Sequence, residues 1–353
     1  MRWLYPLLIF VPISIVQYFM HVSPVWLFLS SCLSIIPLAG VMGVATEEYS
    51  KYRGQAVGGL LNATFGNATE MIIAIVAVFN GKVEIVRASL IGSIIGNLLL
   101  VFGLATLLGG LKFKEQKFNR HSAEANGSMM TISVISLLVP AIFIHNSHMK
   151  DSAPSVANLS MAVAILLIAL YIGGLIFSLK SHKSFFQDEV VHGEEEEKPS
   201  MSQAKALGIL LVSTLFIAFE SEFLVSSIEP VVHKLHMSEL FLGIIVIPII
   251  GNAAEHSTAV VMAVKNKMDI SVNIAISSAA QIAMFVAPLI IIVSRWSHHP
   301  VTIVFSSIEL ICVAAAVMIT QQVTRDGKTN WLEGAQLLAA YVIMALAFYF
   351  IPG

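Results

Sequence analysis

Apolar positions along the chain fall into long blocks separated by short polar connections. A helix needs about 20 predominantly apolar residues to cross a bilayer core of about 30 Å. By that measure eleven blocks qualify: 3–20, 24–44, 55–79, 88–110, 122–145, 156–179, 206–225, 240–263, 269–294, 300–320 and 331–351. The pattern predicts an all-α polytopic membrane protein with eleven transmembrane helices. The first block follows Arg2, and His21-Val22-Ser23-Pro24 makes a poor cleavage site, so 3–20 reads as a retained span.

Charge supports this parsing. All twenty Lys and Arg residues fall between the blocks, as the cost of placing charge in hydrocarbon requires. Fifteen of them lie on one side: Arg2, Lys51, Arg53, Lys112, Lys114, Lys117, Arg120, Lys180, Lys183, Lys198, Lys205, Lys265, Lys267, Arg325 and Lys328. Five lie on the other: Lys82, Arg87, Lys150, Lys234 and Arg295. The positive-inside rule then places the N-terminus in the cytoplasm and the C-terminus outside the cell membrane. Only 12% of the 353 residues are charged, against about 25% in soluble domains. No basic stripe exists, so nucleic acid is not an expected partner, whereas the lipid bilayer is. Cys32 and Cys312 both sit in apolar blocks and read as packing residues.

Two segments echo each other. Residues 66–70 read Gly-Asn-Ala-Thr-Glu and residues 251–255 read Gly-Asn-Ala-Ala-Glu, 185 positions apart. This divides the chain into an additional first helix (1–20), a five-span half (24–179), an acidic cytoplasmic linker (180–205) and a second five-span half (206–353). An odd number of spans inverts the second half relative to the first. Inverted repeats are a common plan for secondary transporters, with the site near the bilayer midplane.

Asn67 and Glu70 are three residues apart and share a helical face, as do Asn252 and Glu255. Two carboxylates, two amide oxygens and carbonyls freed by helix breaks at Gly66, Pro248 or Gly251 would suit calcium, which takes six to eight oxygens. A buried unpaired carboxylate also takes up a proton, which a divalent cation expels, so one site can couple the two flows. No resident cofactor is expected, since calcium and protons would be cargo.

Other polar positions remain open between two roles. Ser89, Ser93 and Asn97 recur at steps of four, and Asn273, Ser277 and Gln281 match them at an offset of 184. They either line the ion path or hold helices together. His256 is either a proton relay or an interhelical hydrogen-bonding group. The 185 offset pairs Glu124 with Glu309 as candidate buried acids, for structural hydrogen bonding or proton transfer. Glu47, Glu48, Glu220 and Glu222 close spans 2 and 7 and read as exposed end caps, with gathering of cations at an entrance as the alternative. Asp188, Glu189 and Glu194 to Glu197 read as a solvated linker, with a secondary role in attracting or sensing calcium as the alternative.

The two pentapeptides, with Gly92-Ser93-Ile94-Ile95-Gly96-Asn97-Leu98-Leu99-Leu100 and the run from Ser278 to Pro288, resemble the cation/proton exchanger (CAX) family of the calcium/cation antiporter superfamily. The resemblance implies calcium/proton exchange by alternating access and no enzymatic activity. It implies Glu70 and Glu255 as carriers, Asn67 and Asn252 as ligands, and a homotrimer. A sodium/calcium exchanger on the same scaffold is the nearest alternative, disfavoured by Glu255 and Gln281. A cation channel and a membrane hydrolase are less well supported, for want of a pore-loop or nucleophile motif.

Overall fold

The computed structural model describes residues 2–53, 58, 60, 61, 64–147, 153–182 and 199–351. The acidic part of the linker, Asp188 to Glu197, lies outside them.

Almost all of the described chain is helix: α1 (Leu4–Phe19), α2 (Pro24–Ser50), α3 (Ala68–Phe79), α4 (Val83–Lys112), α5 (Arg120–Asn146), α6 (Pro154–Ser181), α7 (Gln203–Leu235), α8 (Glu239–Gly251), α9 (Ala253–Val264), α10 (Met268–Ser294), α11 (Ser307–Thr324) and α12 (Trp331–Phe350). Eight of these are long and apolar enough to cross a membrane singly, and α8 with α9 forms a ninth candidate, bent by 62°. The other two, α1 and α3, are shorter. One departure from all-α structure is a two-stranded antiparallel ribbon, β1 (Gln116–Lys117) with β2 (Lys328–Thr329), which ties two loops together.

α4 and α10 form the centre. Within its most apolar stretch α4 is 83% buried, against 17% for α6 and 22% for α12, whose Leu166 and Ile343 face outward. Outward apolar side chains are what a bilayer-facing helix requires. α2 and α7 form the most extensive helix pair. α4 crosses α8 with almost no gap: a Cβ on Gly92 would collide with the Ile244 carbonyl. Glycine there removes the one atom that would hold these helices apart.

Several boundaries differ from the expected ones. The stretch 300–306 is not helical; α11 begins at Ser307, where Ser306 and Glu309 form a reciprocal capping box. α7 runs ten residues past the expected 225, because polar Ser226, Ser227 and Glu229 end the apolar block without ending the helix. Glu220 is therefore mid-helix and fully buried, not an exposed end. Glu48 is also buried, accepting from Lys51 Nζ (2.8 Å) and the Ser200 amide (2.6 Å). Arg87 lies inside α4, where it is buried and donates to Glu84 Oε1 (3.1 Å) and Thr302 Oγ1 (2.7 Å).

Four helices change pitch to wider π-turns: Gly96–Val101 in α4, Phe177–Ser181 in α6, Leu242–Val246 in α8 and Ile282–Val286 in α10. The last two precede Pro248 and Pro288, whose rings displace the carbonyls one turn back. Cys32 and Cys312 are free and buried, as packing residues would be.

Candidate cation site

Both copies of the repeated pentapeptide interrupt a helix. Asn67 precedes α3 with φ −103° and ψ 22°; Asn252 separates α8 from α9 with φ −94° and ψ 5°. Each therefore occupies the N-cap position of the helix that follows. An N-cap asparagine ordinarily turns its Oδ1 onto the first free amides of its own helix. Neither does so here. Asn67 Oδ1 and Asn252 Oδ1 are both buried without a hydrogen-bond partner.

The amide nitrogens explain how the oxygens are held. Asn67 Nδ2 donates to Gln281 Oε1 of α10 at 2.6 Å. Asn252 Nδ2 donates to Pro248 O at 3.0 Å and to Ser93 Oγ of α4 at 3.4 Å. Each broken helix thus docks its asparagine on a polar residue of a central helix.

Glu70 and Glu255 follow as the third residue of α3 and of α9. At that position the unpaired amides and the helix dipole favour negative charge by about 0.3–1 kcal/mol or more. Glu70 is buried and neither of its oxygens has a partner, while Asn97 of α4 is fully buried with both amide atoms unpartnered. Glu255 Oε2 accepts a hydrogen bond from Ser278 Oγ at 2.8 Å. A buried oxygen without a partner costs about 1–3 kcal/mol. A bound cation offsets that cost for several oxygens at once. Among the described residues no group of three or more His, Cys, Asp and Glu side chains could hold a metal. The donor set is two carboxylates and amide oxygens, which suits a hard cation.

The glutamates face different spaces. Glu255 lines a cavity of about 730 Å³, together with Thr46, Glu47, Gly66, Asn273, Ser277, Ser278 and Gln281. Glu70 borders a void of about 10 Å³ among Ser89, Ser93 and Ile247. Gly251 lines both.

Several candidates from the sequence lie elsewhere. Half-buried His256 lines neither space. Glu124 is exposed and paired with Arg120 Nε at 2.7 Å, because its position on α5 faces away from the core. Glu309 is buried, but one of its oxygens accepts from Ser306 N (2.8 Å) and Ser306 Oγ (2.7 Å), a capping role. Neither acid lines the cavities. Ser278, the direct partner of Glu255, was not singled out as a site residue by sequence; its position in the first half is Ile94, so the repeat comparison passes over it.

The sodium/calcium exchanger protein family model matches residues 23–180 and again 205–350. The chain belongs to this family. A Ca2+/H+ antiporter from Aphanothece halophytica is 45% identical, over 98% of this chain and 96% of that protein. The Ca2+/H+ antiporter ChaA of Bacillus subtilis is 44% identical, over 96% of each. The solved structure of native YfkE superposes with a TM-score of 0.85 at 41% identity, covering 99% of this chain and 100% of that one. An H+/Ca2+ exchanger, CAX, shares the fold at 15% identity, with a TM-score of 0.76 over 98% of this chain and 91% of that one.

Proposed function

We propose that this protein is a secondary transporter that exchanges Ca2+ for H+ across the cell membrane, with Glu70 and Glu255 as the shared carriers. The observation that carries this reading is the pair of N-cap asparagines that leave their own helices uncapped beside two intramembrane carboxylates. Oxygens withheld from capping are available to a cation. Asn67 and Asn252 contribute amide ligands, while Gln281 and Ser93 position them. The naming of relatives at 44–45% identity as Ca2+/H+ antiporters supports the choice of ions.

Coupling follows from competition. Two carboxylates left bare in a dry site repel each other, so the empty carrier travels with protons. Calcium supplies the missing positive charge and displaces them. Neither ion then crosses without exchange for the other.

The large cavity opens among the helix ends near Lys51, Arg120, Lys180 and Lys265, the side rich in Lys and Arg. Under the positive-inside rule that side is cytoplasmic, with the N-terminus inside and the C-terminus outside. This conformation then presents Glu255 to the cytoplasm while Glu70 is closed off. Eleven spans, arranged as one added helix and two inverted five-helix halves, fit the double family match on either side of the linker. They also fit the π-turns at corresponding positions of α4 and α10. The proposed assembly is a homotrimer, read from family resemblance.

Purified protein in liposomes tests the exchange. An imposed proton gradient should drive uphill Ca2+ movement that needs no Na+ and collapses with an uncoupler. Glu70→Gln and Glu255→Gln should each reduce it at least 100-fold, as loss of one partner in a buried charged site costs about 3–5 kcal/mol. Flux that requires Na+, or that persists in either variant, overturns the reading.

A further inference from the structure

The membrane interior holds another acid that the exchange cycle does not use. Glu220 lies at the middle of α7, fully buried, where α7 meets α1 and α2. Ser14 Oγ of α1 is 2.6 Å from Glu220 Oε1 and 2.8 Å from its own Val11 O. Ser31 and Ser34 are fully buried on α2, the helix that packs most extensively on α7. The Ser34 hydroxyl is directed to Ser30 O at 2.7 Å. Glu220 Oε2 and Ser31 Oγ are buried without a hydrogen-bond partner.

Among the described residues, no positive charge faces this acid from the elements packed on it. α1 carries no charged residue, and α2 carries only Glu47 and Glu48, at its far end. α3 carries only one charged residue, Glu70, itself an acid. Glu239 of α8 lies beyond the C-terminal end of α7. On α7 itself, Lys205, Glu229, His233 and Lys234 lie more than two turns away, and Glu222 accepts from Asn80 Nδ2 at 3.0 Å.

Counting hydrogens decides what this arrangement holds. Each hydroxyl owns one hydrogen, and a carboxylate offers about four acceptor sites. Ser34 has spent its hydrogen on Ser30, and Ser14 must divide its own between Val11 and Glu220. An ionised carboxylate would sit in this seam with too few donors and no counter-charge, which is costly. A neutral carboxyl removes the deficit: it donates to Ser14 Oγ, and Ser14 donates onward to Val11 O.

We propose that Glu220 and Ser14, with Ser31 and Ser34, form a second proton-binding site, separate from Glu70 and Glu255. Its proton joins α7 to α1, the helix that stands outside the two repeated halves. Losing that proton requires water to enter the seam, so occupancy of the site is linked to the docking of α1.

Infrared spectroscopy of the full-length protein in liposomes at neutral pH tests this without relying on transport. The background is the Glu70→Gln/Glu255→Gln double variant, which removes the exchange site. Adding Glu220→Gln should remove one carboxyl equivalent from the protonated-acid carbonyl band. Adding Ser14→Ala instead should shift the same component to higher frequency as its hydrogen bond is lost. An unchanged band in a folded triple variant overturns the proposal. If that variant does not fold, an unshifted band in the Ser14→Ala protein overturns it equally. Failure of calcium exchange would leave both readouts intact.

Discussion

Glu70 lies against Gly251, so closely that a Cβ at position 251 would sit 3.0 Å from Glu70 Oε1. An acid from the first half of the chain thus rests on the backbone of the second, at the residue that borders both cavities. Gly251→Ala should push the carboxylate off its position. Overpacking of this kind costs about 1–3 kcal/mol, and each tenfold change in affinity is about 1.4 kcal/mol. Calcium affinity measured by titration calorimetry should fall about tenfold or more, with the protein still folded.

The asparagines offer a sharper test, because two roles predict opposite results. An ordinary N-cap loses about 1 kcal/mol of stability on replacement by alanine. Asn252→Ala should lose less than that in ion-free thermal unfolding, since its Oδ1 caps nothing. It should nevertheless bind calcium at least tenfold more weakly. Large destabilisation with unchanged affinity would mark Asn252 as a structural cap.

Ser278 acts on the balance between ions. Its hydroxyl donates to Glu255 Oε2 at 2.8 Å, a bond that favours the ionised acid. A hydrogen bond to a charged group contributes about 1.5–3 kcal/mol. In Ser278→Ala protons should compete better, so calcium binding should weaken most at acid pH. The pH of half-maximal binding should move upward, as followed by calcium titration across pH.

The cavity predicts sidedness. After both native cysteines are replaced, Ser277→Cys should react with a membrane-impermeant thiol reagent added from the side of Lys51 and Lys265. Ser89→Cys, beside the closed void, should stay protected in the same conformation.

The spans were legible because apolar length is dictated by bilayer thickness, and the two acids because a repeated pentapeptide places them in matching positions. What was hidden depended on local geometry. Gly66, Pro248 and Gly251 pointed to helix breaks beside the asparagines, but that each asparagine takes the N-cap position and leaves its Oδ1 unpaired depends on local geometry no spacing reveals. Ser278 has Ile94 as its counterpart, so no symmetry points to it. Glu220 looked like a helix end because polar residues follow it, yet α7 continues for fifteen more. Repeat arithmetic made Glu124 and Glu309 a pair, but equal spacing does not ensure equal burial: Arg120 engages one at the surface, and Ser306 engages the other at a helix start.

The π-turns in α4 and α10 carry a mechanical consequence. Each stores one residue more than an ordinary turn; the first includes Asn97 and the second directly follows Gln281. Moving such a fold of slack along a helix by one position would rotate the side chain it passes by about 100° while both ends of the helix stay anchored. The two central helices can thus be retuned from within, as a string is shortened by a finger, without sliding against their neighbours.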